Sequence, residues 1–385
     1  MAKGAYIGVS GVARKVKRGY VGIDGVARKI RKAYIGVGGV ARPCWSGGEL
    51  TYYGNPTPLG RDVYGVAATT VGNYALFGGG CLRNEDDSYS NTVDTYNKSL
   101  TKGTASALIQ GRYRLAATAV GNYAIFGGGD VGGAGNHVDA YSASLTRTNP
   151  TFLSTSRWSL AATSIGNYAL FAGGQNSNGV TSGVDAYSTS LTKTTVASLG
   201  EARGYFGAAS VGEYALFGGG YSAKGGSLAS SNYVDVYDKS LTKSVTNLTY
   251  ARTHLCATAV GKYALFGGGQ QYADDGATTR SSVVDAFDTS LVRSRPTDLS
   301  VARKSLAATT VDNYALFGGG ESSPSSASDV VDSYDDSLVR TTAHQLWLSK
   351  YELAATTIGN YALFGGGFNG NVQSYYYTVD AYVVA

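Results

Sequence analysis

The stretch Tyr74-Ala75-Leu76-Phe77-Gly78-Gly79-Gly80 decides the fold, because it returns intact at Tyr214, Tyr263, Tyr314 and Tyr361. It returns with one change at Tyr123, where Ile125 replaces Leu, and at Tyr168, where Ala172 replaces Gly. A second phrase, Val-Asp-x-(Tyr/Phe), follows each copy and places Asp94, Asp139, Asp185, Asp235, Asp285, Asp332 and Asp380 at equivalent positions. Seven copies with a unit of about 48 residues match the blades of a β-propeller.

Within a unit the strands can be read directly. Leu115-Ala116-Ala117-Thr118-Ala119-Val120 runs through Gly121-Asn122 into Tyr123-Ala124-Ile125-Phe126. Two apolar runs around a two-residue turn with Gly predict a tight hairpin, since Gly supplies the positive φ such turns require. Small residues in the first run suit a crowded centre, and the glycine triplet ends the second strand where side chains would clash. Val138-Asp139-Ala140-Tyr141 supplies a third strand, and a fourth begins at Ser144. Four short strands per unit make one blade.

These features resemble the Kelch repeat family: a hydrophobic strand into a glycine doublet, a Val-Asp-x-Tyr strand after an irregular loop, and an Arg before the next small-residue strand. The resemblance covers roughly residues 47–385. It departs where Kelch units carry a Trp on the fourth strand, since Gly103, Thr148 and Thr194 stand near that position. The last unit stops at Ala385 without a fourth strand, whereas Glu49-Leu50-Thr51-Tyr52-Tyr53 precedes the first unit. This segment is expected to complete the seventh blade and so remove an open edge. The fold class is therefore all-β: a seven-bladed, Kelch-like propeller over 47–385, closed by an N-terminal strand.

Residues 1–46 form a separate arm. Tyr6-Ile7-Gly8-Val9-Ser10-Gly11-Val12-Ala13-Arg14-Lys15 recurs with a period of 14 at Tyr20 and Tyr34. The alternation around Ser-Gly, Asp-Gly and Gly-Gly predicts three hairpins. Residues 1–45 hold ten Lys or Arg against the single acid Asp24, while the remainder holds 22 against 26. Arg14, Lys15, Lys17, Arg18, Arg28, Lys29, Arg31 and Lys32 thus make a basic arm suited to an acidic surface or polyanion. The repeat is similar to N-terminal segments of tail-associated structural proteins of phages and prophages of Gram-positive gut bacteria. That likeness implies an arm that docks on other virion proteins.

Composition narrows the chemistry. No run approaches the roughly 18 apolar residues of a membrane span, and no secretory signal opens the chain, so a soluble product made in a bacterial cytoplasm is expected. Cys44, Cys81 and Cys256 show no paired spacing. Cys256 replaces an Ala of the first strand and is expected to be buried, and Cys81, at a loop mouth, to be exposed. His137, His254 and His344 fall at different positions in different units. No nucleophile elbow, zinc motif or phosphate loop occurs, because the glycine triplets do not open helices. The expectation is a protein without catalysis, cofactor or metal.

Two residue sets converge on one face of a propeller: the loop between strands two and three and the link from strand four to the next blade. The link carries Arg112, Arg157, Arg203, Arg252, Arg303 and Lys350, with Val63 at that position in the first unit. Either these cations ring the channel mouth and bind an acidic ligand, or each pairs with a repeated Asp, as Arg157 would with Asp139 or Asp185. The divergent loops add Tyr272, Asp274 and Tyr376, which suit sugars or a protein. The leading expectation is a phage virion protein, tail-associated or particle-decorating, whose propeller displays a binding face toward host surface glycan. A cytoplasmic Kelch-type interaction module and a glycan-active enzyme are the alternatives. Nucleic acid is a lesser partner for the arm, and homo-oligomerisation stays open.

Overall fold

The computed structural model describes residues 48–384 except 83–87, 225–226, 273–276, 325 and the side chains of 223–228, together with the backbone of six strands within 6–46. Among the described residues every regular element is a strand, and seven four-stranded sheets succeed one another along the chain. The fold is a seven-bladed β-propeller. Blade 2 is representative: Ala116–Val120, Tyr123–Gly127, Val138–Ser142 and Arg147–Thr148 pair in sequence order. Val120 faces Tyr123 across the Gly121-Asn122 turn, with Gly121 at φ 54°. Phe126 then faces Asp139 on the third strand.

Side-chain size follows from where each strand runs. The first strands lie innermost and are bound to each other through hydroxyls. Thr70 Oγ1 lies 2.9 Å from Thr356 Oγ1 and donates to Thr357 O at 2.7 Å, and Thr310 lies 2.8 Å from Thr258. Larger residues would separate these neighbours. Further out, at six of the seven junctions the heptapeptide Phe lies over the first glycine of the preceding blade, and at the seventh that position is Ala172. A Cβ on Gly78 would come within 2.9 Å of the Phe126 ring, and one on Gly365 within 2.8 Å of Phe77. The ring of blades thus closes by the contact that joins its interior members, and each buried Phe adds about 1.5–3 kcal/mol.

The other two glycines of each triplet form the joint between blades. The third donates its N–H to the backbone carbonyl of the next blade's cation position: Gly80 to Arg112 at 2.8 Å and Gly320 to Lys350 at 2.9 Å. Gly367 to Val63 at 2.8 Å completes the circle. These glycines sit at φ between 103° and 118°, a conformation that side chains rarely adopt.

The seventh blade combines Ala354–Ile358, Tyr361–Gly365 and Val379–Val384 with Leu50–Gly54 as its fourth strand, as the closure expectation requires. Tyr52 Oη donates to Asp380 Oδ1 at 3.0 Å, and Asn55 Nδ2 donates to Val379 O at 3.0 Å.

The chain divides into two compact units, Tyr52–Tyr382 and a second made of Met1–Thr51 with Val383–Ala385. The sequence reading put the boundary between 46 and 47. In the arm, Tyr6–Val9 pairs with Val12–Lys15, Gly19–Ile23 with Val26–Ile30, and Lys32–Val37 with Val40–Ser46. Val9 faces Val12, Ile23 faces Val26 and Val37 faces Val40, the registers of two-residue hairpin loops. Arg14, Lys15, Arg28, Lys29 and Lys32 lie on these strands, and Lys17, Arg18 and Arg31 lie outside the described residues.

Candidate functional site

The repeated cations do not ring a binding face. Arg112, Arg157, Arg203, Arg252, Arg303 and Lys350 have no solvent exposure at all, which corrects the expectation of a cationic ligand surface. Each reaches inward to the Asp on the third strand of the blade it introduces. Arg112 meets Asp139 at 2.7 Å, Arg157 meets Asp185 at 2.8 Å, Arg252 meets Asp285 at 2.6 Å, Arg303 meets Asp332 at 2.9 Å and Lys350 meets Asp380 at 2.8 Å. Arg203 pairs likewise with Asp235.

The Asp also accepts a link N–H, from Ile109 at 3.0 Å, Gly200 at 2.8 Å or Trp347 at 2.7 Å. The pair therefore pins the inter-blade link to the blade. Burial pushes the guanidinium pKa values down while the carboxylates pull them back, and Arg252 is left at about 10. In blade 1, where Val63 offers no charge, Asp94 takes Lys102 at 3.0 Å and the Gly60 N–H at 2.9 Å.

Two residues beyond each cation the chain turns through positive φ, between 51° and 63°, at Gly65, Arg114, Ser159, Tyr205, His254, Ser305 and Glu352. Their backbones form a closed circle of hydrogen bonds. Each N–H donates to the carbonyl of the preceding member at 2.8–3.0 Å, and Gly65 to Glu352 at 2.9 Å joins the ends. With the apolar residue after each, they line a cavity of about 260 Å³ at the channel mouth. Six non-glycine residues in this conformation hold strain on the order of 1 kcal/mol or more apiece.

The six turn leucines, Leu100, Leu145, Leu191, Leu241, Leu291 and Leu338, also sit near φ 60°. They are the same residue throughout, as architecture demands. The mouth residues are of six kinds.

Arg114 spans the mouth. Its Nη2 donates to Glu352 Oε1 at 2.9 Å and its Nη1 to Tyr205 Oη at 3.1 Å, while its guanidinium lies over the rings of Tyr113 and Tyr205. Gln175 Nε2 also donates to Tyr205 Oη, at 3.3 Å. His254 stacks on Tyr205 with ring centres 4.2 Å apart. Burial, aided by Lys304, Arg114 and Arg280, pushes the His254 pKa down to about 3, so its imidazole is neutral. Burial is the largest single pull on Arg114 and lowers it, but Glu352, Tyr205 and Tyr113 together outweigh it and hold the guanidinium above its ordinary value.

Outside this rim, the residue after each cation bridges to the residue after each glycine triplet, for example Tyr113 to Asp130 and Lys304 to Glu321. Link and loop therefore share one face. One arc is aromatic: Tyr89 stacks on Tyr113 at 5.1 Å, and Tyr64 contacts Tyr113, Phe368 and Tyr375 within 5.9 Å. The other arc is polar, with Arg280 joined to Gln270 and Glu321, and Lys304 to Glu321 at 3.2 Å. Tyr272 is part-exposed on this polar arc, 6.4 Å from the Tyr221 ring, and Tyr376 is tied by its backbone to Gly367 and Val63. Asp274 lies outside the described residues. Cys81, expected at the surface, is buried. Among the described residues no three His, Cys, Asp or Glu side chains converge as a metal site.

Sequence reasoning passed over Arg114, Tyr205, His254 and Glu352. Their signal was two variable positions between constant ones, as in Arg112-Tyr113-Arg114-Leu115, Arg203-Gly204-Tyr205-Phe206 and Lys350-Tyr351-Glu352-Leu353.

No protein-family model matches the chain, and no curated protein matches it. Among solved structures, that of YjhT superposes with a TM-score of 0.58 and 11% identity, covering 75% of this chain and 99% of that one. At that identity the likeness is one of fold.

Proposed function

We propose that this protein is a non-enzymatic component of a phage virion, with the basic arm docking on the particle and the propeller turning its channel mouth toward a host-surface ligand. The observation that carries this reading is the contrast between frame and mouth. Six blades share one cation-aspartate strut and all seven share one glycine joint, yet the seven mouth residues are Gly65, Arg114, Ser159, Tyr205, His254, Ser305 and Glu352. Diversified positions on a repeated scaffold are where recognition resides. Ten cations against one acid in residues 1–45, set in hairpin repeats, favour attachment to an acidic partner.

A binding role also fits the mouth better than catalysis does. Most glycoside hydrolysis uses a pair of carboxyl groups, and Glu352 is the one acid among the seven mouth residues, already engaged by Arg114. The test is particle association. Virions from the source culture, banded on a density gradient, should contain this chain in fixed stoichiometry by mass spectrometry, and antibody to the propeller should decorate them in electron micrographs. Absence from banded particles would end the virion assignment.

A further inference from the structure

We infer that the channel mouth is a pocket for one neutral, hydroxyl-rich sugar residue, the exposed end of a surface glycan, held by Arg114, Ser159 and Glu352. The inference rests on the reading of this face as the ligand-binding one, and it names the ligand's class.

Hydrogen-bonding capacity comes first. Arg114 Nε, Ser159 Oγ and Glu352 Oε2 are buried at the mouth and have no hydrogen-bond partner in the protein. Ser159 is 8% exposed. Buried polar groups are normally satisfied, and because an orphaned Nε recurs in the struts Arg112, Arg157, Arg203, Arg252 and Arg303, the orphans that mark this cavity as one a ligand would complete are Ser159 Oγ and Glu352 Oε2. With the Arg114 guanidinium in the lining, they supply an anionic acceptor and a hydroxyl that can donate or accept beside a cationic donor, the set that adjacent sugar hydroxyls require. Glu352 spends one oxygen on Arg114 and leaves the other, while Tyr205 Oη already accepts from two donors and keeps its own proton to give.

Charge then selects among sugars. The Arg114 and Glu352 charges compensate each other and His254 is neutral, so the seven rim residues carry no net charge. A carboxylate or phosphate brought beside Glu352 would meet repulsion, which disfavours the acidic ligands that an exposed arginine ring would have favoured. Size agrees: about 260 Å³ falls just below the range of drug-sized pockets and admits one ring rather than a chain.

The strain at the mouth has the same explanation. Glycine would satisfy the positive φ at every rim position, as it does at Gly65, but would deliver none of these groups.

The experiment is a calorimetric titration of the full-length protein with galactose, glucose and N-acetylglucosamine, and with glucuronic acid and N-acetylneuraminic acid as acidic probes. We expect saturable binding of at least one neutral sugar and weaker or no binding of the acidic pair. Glu352→Gln keeps an acceptor for Arg114 but removes the charge, and Ser159→Ala removes one orphan. Each should weaken binding about tenfold or more, since hydrogen bonds to charged groups and orphaned partners act on that scale. Trp347→Ala, at a residue 67% exposed and outside the mouth, should leave affinity unchanged.

Preference for acidic sugars, wild-type affinity in folded Glu352→Gln and Ser159→Ala, or the absence of any neutral-sugar binding would each overturn the pocket. The virion assignment is judged separately by particle association. A sugar-binding protein missing from particles keeps the pocket and loses the virion role, and a particle protein that binds no neutral sugar does the reverse.

Discussion

An arginine sealed from solvent against an aspartate holds a structure together and reads no ligand. Taking one charge from such a pair leaves the other stranded in a low-dielectric interior, typically at a cost of about 3–5 kcal/mol. We therefore expect Arg203→Ala or Arg252→Ala to lower unfolding free energy by about that amount in urea titrations, because Asp235 or Asp285 loses its buried partner. A change below about 1 kcal/mol would contradict the strut. Blade 1 tolerates Val63 because Asp94 has Lys102 at 3.0 Å; the equivalent outer-strand cations of the other two blades stand farther off, Lys243 at 3.5 Å from Asp235 and Arg293 at 4.0 Å from Asp285, and offset the loss only in part. The repetition of Arg and Asp is legible in the sequence. Their burial is not, since the direction of the arginine depends on the turn through Arg114, Ser159 and their counterparts, whose positive φ nothing in a non-glycine sequence announces.

Strands and turns were more legible than side-chain roles. The Gly-Asn hairpin turns, the glycine triplets and the orphan segment before the first blade all follow from local chemistry, and local chemistry is what a sequence displays. The glycine joint also shows why the triplet recurs. A Cβ on Gly268 would lie 2.6 Å from the Arg303 carbonyl oxygen, where no flexible side chain can yield. Closure by Leu50–Gly54 carries the sharper consequence. Without that strand, Val379–Val384 becomes an unpaired edge and Asp380 loses the Tyr52 and Asn55 donors. Internal deletion of residues 47–55 should aggregate the protein or lower its melting temperature by many degrees in calorimetry. A melt indistinguishable from that of the full chain would show that the seventh blade stands on three strands.

Across the chain, symmetry and asymmetry divide the labour. The repeats specify a frame that closes on itself through Gly365 with Phe77, Gly367 with Val63 and Gly65 with Glu352, and the frame frees a few positions to differ. Those positions were illegible as a site because variability between constant residues looks the same in a spacer as in a pocket until the fold brings the seven together. Charge is divided too, with the basic excess confined to residues 1–45 and a slight acidic excess in the remainder. If the arm holds its partner electrostatically, attachment should weaken as the Debye length shrinks from about 10 Å at 0.1 M salt to about 3 Å at 1 M. Neutral-sugar binding at the mouth, built on hydrogen bonds, should change little over the same range. A chain lacking residues 1–46 should keep the propeller's melting temperature and its sugar affinity while losing attachment to virion particles. Attachment that survives both the truncation and high salt would place the docking surface on the propeller, and sugar binding that fell with salt as attachment does would mean that the mouth recognises charge after all.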